Sequence, residues 1–239
     1  MKSALVTGAS GDIGSAIAVR LADEGLRVFA HANTNLSRAE ELVARIEENG
    51  GAAQAVCFDV CDADETKGVL DSLLSMGPIQ VLVNNAGIHD DAPLAGMTSR
   101  QWNSVVDVAL RGFYNVTRPL LLPMIQTRWG RIVTITSITG VTGNRGQCNY
   151  SAAKAGLHGA TKALAIELAS RGITVNAIAP GIVASRMVEQ AFDKEKIRQL
   201  VPMGRAGEPD EIADFVAYLA CGNAGYLSGQ IININGAMI

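Results

Sequence analysis

Ser3-Ala4-Leu5-Val6-Thr7-Gly8-Ala9-Ser10-Gly11-Asp12-Ile13-Gly14 sets a short apolar run directly against a glycine-rich turn and the first residues of a helical pattern. Glycines in such a turn let the backbone approach a pyrophosphate, and the helix N-terminus behind them offers free N–H groups at the positive end of its dipole. A glycine-rich turn also closes ordinary loops. Its position between a strand and a helix makes a dinucleotide the favoured ligand, held by Gly8, Ser10, Gly11, Asp12, Ile13 and Gly14.

The same alternation runs to the end of the chain. Periodicity predicts strands near 3–7, 27–31, 53–58, 79–83, 131–136, 173–178 and 230–234, and helices near 13–24, 36–49, 63–75, 101–126, 150–169, 186–200 and 209–220. Strands alternating with helices imply βαβ crossovers and a parallel sheet covered on both faces. The expected fold is α/β, a Rossmann-type doubly wound sheet with its ligand at the carboxyl ends of the strands. With 239 residues and no Pro/Gly/Ser-rich linker, 1–239 reads as one domain.

Composition narrows the partners. At 48% hydrophobic and 18% charged, with net charge −3, the chain is not built to lie on nucleic acid or an anionic membrane. Lys2 leads straight into a strand without the pattern of a signal peptide, and no apolar segment reaches the length of a membrane span, so a cytoplasmic protein is expected. Cys57, Cys61, Cys148 and Cys221 form no Cys-x-x-Cys pair and do not cluster with His31, His89 or His158. Incidental thiols in a reducing compartment are expected, and no metal site.

Tyr150 and Lys154 stand at i and i+4 in a helical pattern, which places them on one face, and Ser137 follows an apolar run upstream. A phenol has a pKa near 10, so using it around neutrality requires a shift of roughly 3 units, about 4 kcal/mol. One cation at ~4 Å in an effective dielectric of ~20 supplies about that much. Ser137 would hold a carbonyl oxygen while the phenol exchanges its proton. The same pair also occurs as a half-buried ring beside a solvated amine.

The tip of the second strand selects the dinucleotide. An acid there would bind the adenosine ribose and repel a 2′-phosphate; the chain has His31-Ala32-Asn33-Thr34-Asn35 instead. NADP(H) is therefore expected over NAD(H), with Asn33 and Thr34 at the phosphate and Arg38 as the nearest cation. Asp59 is placed to reach the adenine amine with Val60 against the ring, or else serves as an ordinary turn carboxylate.

Taken together these residues resemble the short-chain dehydrogenase/reductase family, and within it the 3-oxoacyl-[acyl-carrier-protein] reductases. The resemblance spans nearly the whole chain. It rests on the 7–14 loop, Asp59-Val60, Asn84-Asn85-Ala86-Gly87, Ser137 with Tyr150 and Lys154, Asn176-Ala177-Ile178-Ala179-Pro180-Gly181, Pro202-Met203-Gly204-Arg205 and Asn235-Gly236. Gly143-Asn144-Arg145-Gly146-Gln147-Cys148-Asn149 carries the reductase flavour. The resemblance implies a seven-stranded sheet ordered 3-2-1-4-5-6-7. It implies that Ser137 orients the carbonyl, that Tyr150 donates its proton, and that Lys154 binds the nicotinamide ribose while lowering the tyrosine pKa. Asn84, Asn85, Ala86 and Gly87 would line the cofactor, and Pro180, Gly181, Ile182, Val183 and Ser185 would hold the carboxamide side. Arg128 and Arg171 match positions implicated in docking an acyl carrier protein.

Three departures stand out. Asp12 replaces a family glycine, bringing a carboxylate into the phosphate loop; as a favoured N-cap residue it is expected to cap the helix. Ala109 falls where the family has an Asn supporting a water behind the lysine, and Asn115, six residues on, would face elsewhere on a regular helix. No basic residue lies near Gly11 or Asn33.

The leading expectation is NADPH-dependent reduction of a 3-oxoacyl thioester on acyl carrier protein to the 3-hydroxyacyl product. Ile138, Val141, Ile182, Met187 and Val188 would suit an acyl chain, or pack as ordinary core. The rivals are a reductase or dehydrogenase for another secondary alcohol or ketone, including a carrier-bound polyene or polyketide intermediate, and a nucleotide-binding sensor or assembly subunit that has lost catalysis. The resemblance further implies a homotetramer built on the two long helices, where Leu110, Phe113, Leu157 and Leu164 either meet a partner or belong to the core. Residues 185–203 are expected to form a substrate lid, polar on one side through Arg186, Lys194, Lys196 and Arg198.

Overall fold

The computed structural model describes residues 1–185, 188 and 193–239. Seven parallel strands form one sheet in the order β3-β2-β1-β4-β5-β6-β7. They are β1 (Ser3–Val6), β2 (Arg27–Ala32), β3 (Ala52–Cys57), β4 (Ile79–Asn84), β5 (Gly130–Ile135), β6 (Ile173–Pro180) and β7 (Ile231–Ile234). The order reverses between β1 and β4, which opens the crevice where such sheets take their ligands.

Side-chain alternation explains why both faces are dry. Ala4 and Val6 of β1 point into one buried cluster with Ile17 and Leu21 of α1 (Asp12–Asp23) and Val216 of α9 (Pro209–Cys221). Leu5 points into the other, with Leu70 of α3 (Ala63–Ser75), Leu120 of α5 (Gly112–Thr127) and Leu168 of α7 (Cys148–Leu168). Strands buried on two faces read as near-continuous apolar runs, as Ala4-Leu5-Val6 of β1 and Val81-Leu82-Val83 of β4 do; in the fully buried β6 the polar exceptions are Thr174 and Asn176, the latter donating to Leu227 O. Truncating Leu5 to Ala is worth roughly 2–5 kcal/mol by the usual cavity cost. The remaining helices are α2 (Leu36–Glu48), α4 (Ser99–Val106), the short α6 (Thr139–Thr142) and α8 (Lys194–Leu200).

Two local readings are corrected. The single helix expected near 101–126 is α4 and α5 joined through a π-helical segment, Asp107–Arg111. Gly112 packs here so tightly that a Cβ would lie 2.9 Å from Val60 Cγ2. The second correction is Asp12: Gly11, at φ −90° and ψ 168°, occupies the N-cap of α1 with no side-chain cap, and Asp12 is the first helical residue, exposed. Its carboxylate favours the helix dipole from the first turn but bonds none of the terminal amides.

Of the expected lid, Arg186 and Met187 lie outside the described residues. Ser185 accepts from the Val188 amide at 3.2 Å, and Asp193 caps α8 by accepting from Lys196 N. Leu157 is core, Leu110 and Phe113 pack in the same cluster, and Leu164 packs against the second core cluster, so these are not the exposed apolar residues of the long helices. Those are Tyr114, Leu122 and Ile166. No helix among the described residues is long and apolar enough to cross a membrane.

Candidate active site

The 7–14 turn follows β1, and its backbone is pinned from two sides. Thr7 Oγ1 accepts from the amides of Asn85 and Ala86, while Asn85 Nδ2 donates to the carbonyls of Thr7 and Gly8. Gly8 has φ +65°, and a Cβ there would sit 3.0 Å from Ala86 Cα. At Gly14 a Cβ would lie 2.3 Å from the Gly8 carbonyl oxygen, so helix and turn touch through backbone. The first-turn amides of α1 have no side-chain cap, which leaves them for an anion. This cradle fits a pyrophosphate. The Asn85 side chain is committed to the turn, which makes it a brace of the 7–14 loop.

At the second strand tip Asn33 and Thr34 are exposed, and Asn35 caps α2 by accepting from Arg38 N. Asp59 Oδ1 accepts from Cys61 N in a turn after β3. Val60 is only 4% exposed and packs on Gly112. Its side chain is interior, so the expected contact with an adenine ring is withdrawn.

Ser137, Tyr150 and Lys154 converge beyond the end of β5. The Tyr150 hydroxyl bonds to that of Ser137, and Ser137 Oγ also accepts from Thr139 N at 3.2 Å and Thr139 Oγ1 at 3.1 Å. Lys154 Nζ lies 5.5 Å from the Tyr150 ring centroid and donates to Ile135 O at 2.9 Å. Gly87 leaves room for it, since a Cβ there would stand 3.3 Å from Nζ.

The chain belongs to the short-chain dehydrogenase family. The model of that family, described as short chain dehydrogenase, matches residues 2–196. The chain is 44% identical to 3-oxoacyl-[acyl-carrier-protein] reductase FabG of Staphylococcus aureus over 240 residues, covering 99% of this chain and 98% of that one. It is 44% identical to the 3-oxoacyl-[acyl-carrier-protein] reductase of Synechocystis over 238 residues (99% and 96%), and 41% identical to FabG of Aggregatibacter actinomycetemcomitans over 236 (98% and 98%). Membership in a dehydrogenase family brings a nicotinamide cofactor.

Electrostatics in this short-chain dehydrogenase depart from the simple ion-assisted phenol. Burial pushes the Tyr150 phenol up, opposed by its bond with Ser137, and burial pulls Lys154 down to about 8. The expected lowering of the tyrosine by the lysine is therefore not what this geometry gives: both groups are desolvated, and the ammonium is aimed at a carbonyl. A phenol that keeps its proton through neutrality is a proton donor.

Asn149 was missed by sequence reasoning. Fully buried, its Nδ2 donates to the carbonyls of Asp90 and Gln101, and its Oδ1 accepts from Tyr150 N, so it fixes the start of α7 against two distant segments. Thr139 was missed as well; a hydroxyl two residues after Ser137 was the available signal. Ala109 lies in the π segment and lines a cavity of about 10 Å³ with Thr134, whose hydroxyl is buried without a partner. That is near the lower limit for one water molecule. Asn115 donates to the main-chain carbonyl of Val60, a residue that also lines this cavity, so its side-chain amide is committed to that carbonyl.

Pro180 is buried at the end of β6, and Gly181 is pressed against Asn235, whose Cα would be 2.8 Å from a Cβ. Ile182 and Val183 run alongside Gly207, with a cavity of about 430 Å³ beyond them. Ile138 is buried and Val141 is exposed. Arg128 and Arg171 immediately precede β5 and β6, so on this chain they stand at the amino ends of strands whose carboxyl ends carry Ser137 and Gly181. At ~3.3 Å per residue over six to eight residues this is on the order of 20 Å away.

Proposed function

We propose that this short-chain dehydrogenase reduces a 3-oxoacyl thioester, presented on an acyl carrier protein, to its 3-hydroxyacyl product with NADPH. The observation that carries the chemistry is the convergence of Ser137, Tyr150 and Lys154 beyond the end of β5, with Lys154 Nζ 5.5 Å from the Tyr150 ring centroid and anchored on Ile135 O. The substrate class comes from the full-length similarity to reductases of that name.

When bound, the cofactor supplies a hydride to the carbonyl carbon and leaves oxidised. The carbonyl π electrons pass to oxygen, which takes the proton held at the Tyr150 phenol oxygen. Ser137 orients that oxygen, with Thr139 fixing the serine. Lys154 holds the ribose hydroxyls beside Tyr150, and the α1 amides with Gly8, Ser10, Gly11, Ile13 and Gly14 receive the pyrophosphate. Ala86, Gly87, Pro180, Gly181, Ile182, Val183 and Ser185 line the nicotinamide side. Asn33, Thr34 and Arg38 favour a 2′-phosphate because no acid opposes it. Arg128 and Arg171 meet the carrier only from the amino end of the sheet. Exposed Tyr114, Leu122 and Ile166 on the long helices support a homotetramer, which light scattering tests.

Steady-state oxidation of NADPH with a 3-oxoacyl thioester is the direct test. Turnover is expected to prefer NADPH over NADH, with Tyr150→Phe slower by roughly 10²–10⁴. No turnover under conditions where the Staphylococcus aureus relative works would overturn the reading.

A further inference from the structure

His31, the penultimate residue of β2, lies beside the 7–14 turn and is 1% exposed. Its Nδ1 accepts from Gly8 N at 3.1 Å, and its Nε2 lies 2.8 Å from Phe58 O. Its carbonyl accepts from Ala9 N at 2.8 Å, and its ring packs on Phe58 with centroids 4.1 Å apart. An amide donor on one side and a carbonyl acceptor on the other fix a single tautomer, with the proton on Nε2. One side chain thus ties the glycine turn after β1 to the end of β3, across the width of β2.

We propose that His31 is a positioning residue for the dinucleotide: its neutral ring holds the Gly8 amide, and so the shape of the pyrophosphate turn. Protonation would set a second N–H against that of Gly8 at 3.1 Å and push the turn out of register. Gly8 has little room to yield, because a Cβ on it would meet Ala86 Cα at 3.0 Å and its carbonyl receives Asn85 Nδ2. The charged groups facing the imidazole are Asp59 and Glu65, on the strand end and helix beyond Phe58; both favour protonation, but burial outweighs them and holds His31 below its usual range. The consequence is cofactor affinity that falls as the medium becomes acid, while the chemical step, carried by residues after β5, is left alone.

This inference rests on the reading of the 7–14 turn as the cofactor site, and the experiment separates the two. NADPH dissociation constants, by cofactor fluorescence, are measured from pH 5.5 to 8 for the native chain, His31→Asn and His31→Leu. Asn offers an acceptor where Nδ1 was and takes no proton; Leu removes the acceptor and leaves the Gly8 amide unpaired. The 2′-phosphate titrates near pH 6 in all three, so only differences between proteins count.

His31→Asn is expected to bind within about threefold of native at pH 8 and to lose less affinity than native toward pH 5.5. His31→Leu is expected to bind roughly tenfold more weakly at every pH, in line with an unsatisfied buried amide, with KM for NADPH raised and kcat within about twofold. Parallel pH profiles for native and His31→Asn overturn the inference while leaving the cofactor site standing. Binding by none of the three proteins overturns both. Should His31→Leu fail to fold, the native and His31→Asn profiles decide alone.

Discussion

Lys154 Nζ donates to the main-chain carbonyl of Ile135, anchoring the ammonium to the strand that leads into Ser137, with no carboxylate among the described residues bonded to it. A buried cation paired only with a carbonyl is expensive, and its pKa of about 8 against 10.5 expresses that expense. Between those values the unfolded chain binds more protons than the folded one, so stability at this site rises with pH across that window. Below about 8 the full penalty applies, on the order of 3 kcal/mol. Lys154→Met is therefore expected to be inactive yet more stable than native at pH 7 by about 1–3 kcal/mol, with the gap closing as pH climbs to about 10.5. Thermal unfolding at pH 7 and pH 10 measures it; a less stable variant at pH 7 would show the ammonium to be net stabilising.

Thr139 donates to Ser137 Oγ through both its amide and its hydroxyl. Those bonds occupy both lone pairs of the serine oxygen and leave its own proton for Tyr150 or a substrate oxygen. Thr139→Val keeps shape and amide but deletes the hydroxyl. Its kcat is expected to fall about tenfold with KM little changed, as for one lost positioning bond, whereas Ser137→Ala is expected to lose 10²–10³. Equal losses in the two variants would assign Thr139 a direct role on substrate.

The glycines of the turn are not equivalent. A Cβ at Gly14 would meet the Gly8 carbonyl at 2.3 Å, backbone against backbone, while a Cβ at Gly11 would lie 3.5 Å from the same oxygen, ordinary contact. Gly14→Ala is expected to abolish NADPH binding and to destabilise by roughly 2–4 kcal/mol, as overpacking at an unyielding site does. Gly11→Ala is expected to fold within about 1 kcal/mol of native. Denaturant unfolding with cofactor titration of both variants checks the contrast, and intact cofactor binding by Gly14→Ala would refute it.

What the chain disclosed before its structure was known follows the range over which each interaction acts. The alternation of apolar runs with 3.6-residue patterns is local, and it placed every strand to within two residues because short apolar and β-branched runs bounded by turns are themselves local features of the chain. Tyr150 and Lys154 share a helix face for the same local reason. Asn149 was illegible because the carbonyls it serves belong to Asp90 and Gln101, 59 and 48 residues away. The π segment was illegible because nothing in the local 3.6-residue pattern of Asp107–Arg111 marks it, and the tight packing of the adjoining Gly112 on Val60 is a contact made across the fold. The phenol's pKa was misjudged because spacing along a helix gives neighbours, while desolvation depends on everything around them.

Asp12 offers the last test, because its position in the helix changes what its charge does. Were it the N-cap, removing it would cost about 1 kcal/mol or more and expose amides. Gly11 is the N-cap instead, and Asp12 is an exposed first-turn residue whose interaction with the helix dipole is worth about 0.3–1 kcal/mol. Its charge also stands beside the α1 amides proposed to receive a pyrophosphate, where two anions would repel. Asp12→Asn is nearly isosteric and removes only the charge. It is expected to lower stability by less than about 1 kcal/mol while tightening NADPH about three- to tenfold at low ionic strength, an advantage that shrinks as salt screens the repulsion. Binding measured at 20 and 500 mM salt separates this from a contact effect. An Asp12→Asn variant that binds NADPH more weakly than native at both concentrations would mean the carboxylate helps to hold the cofactor.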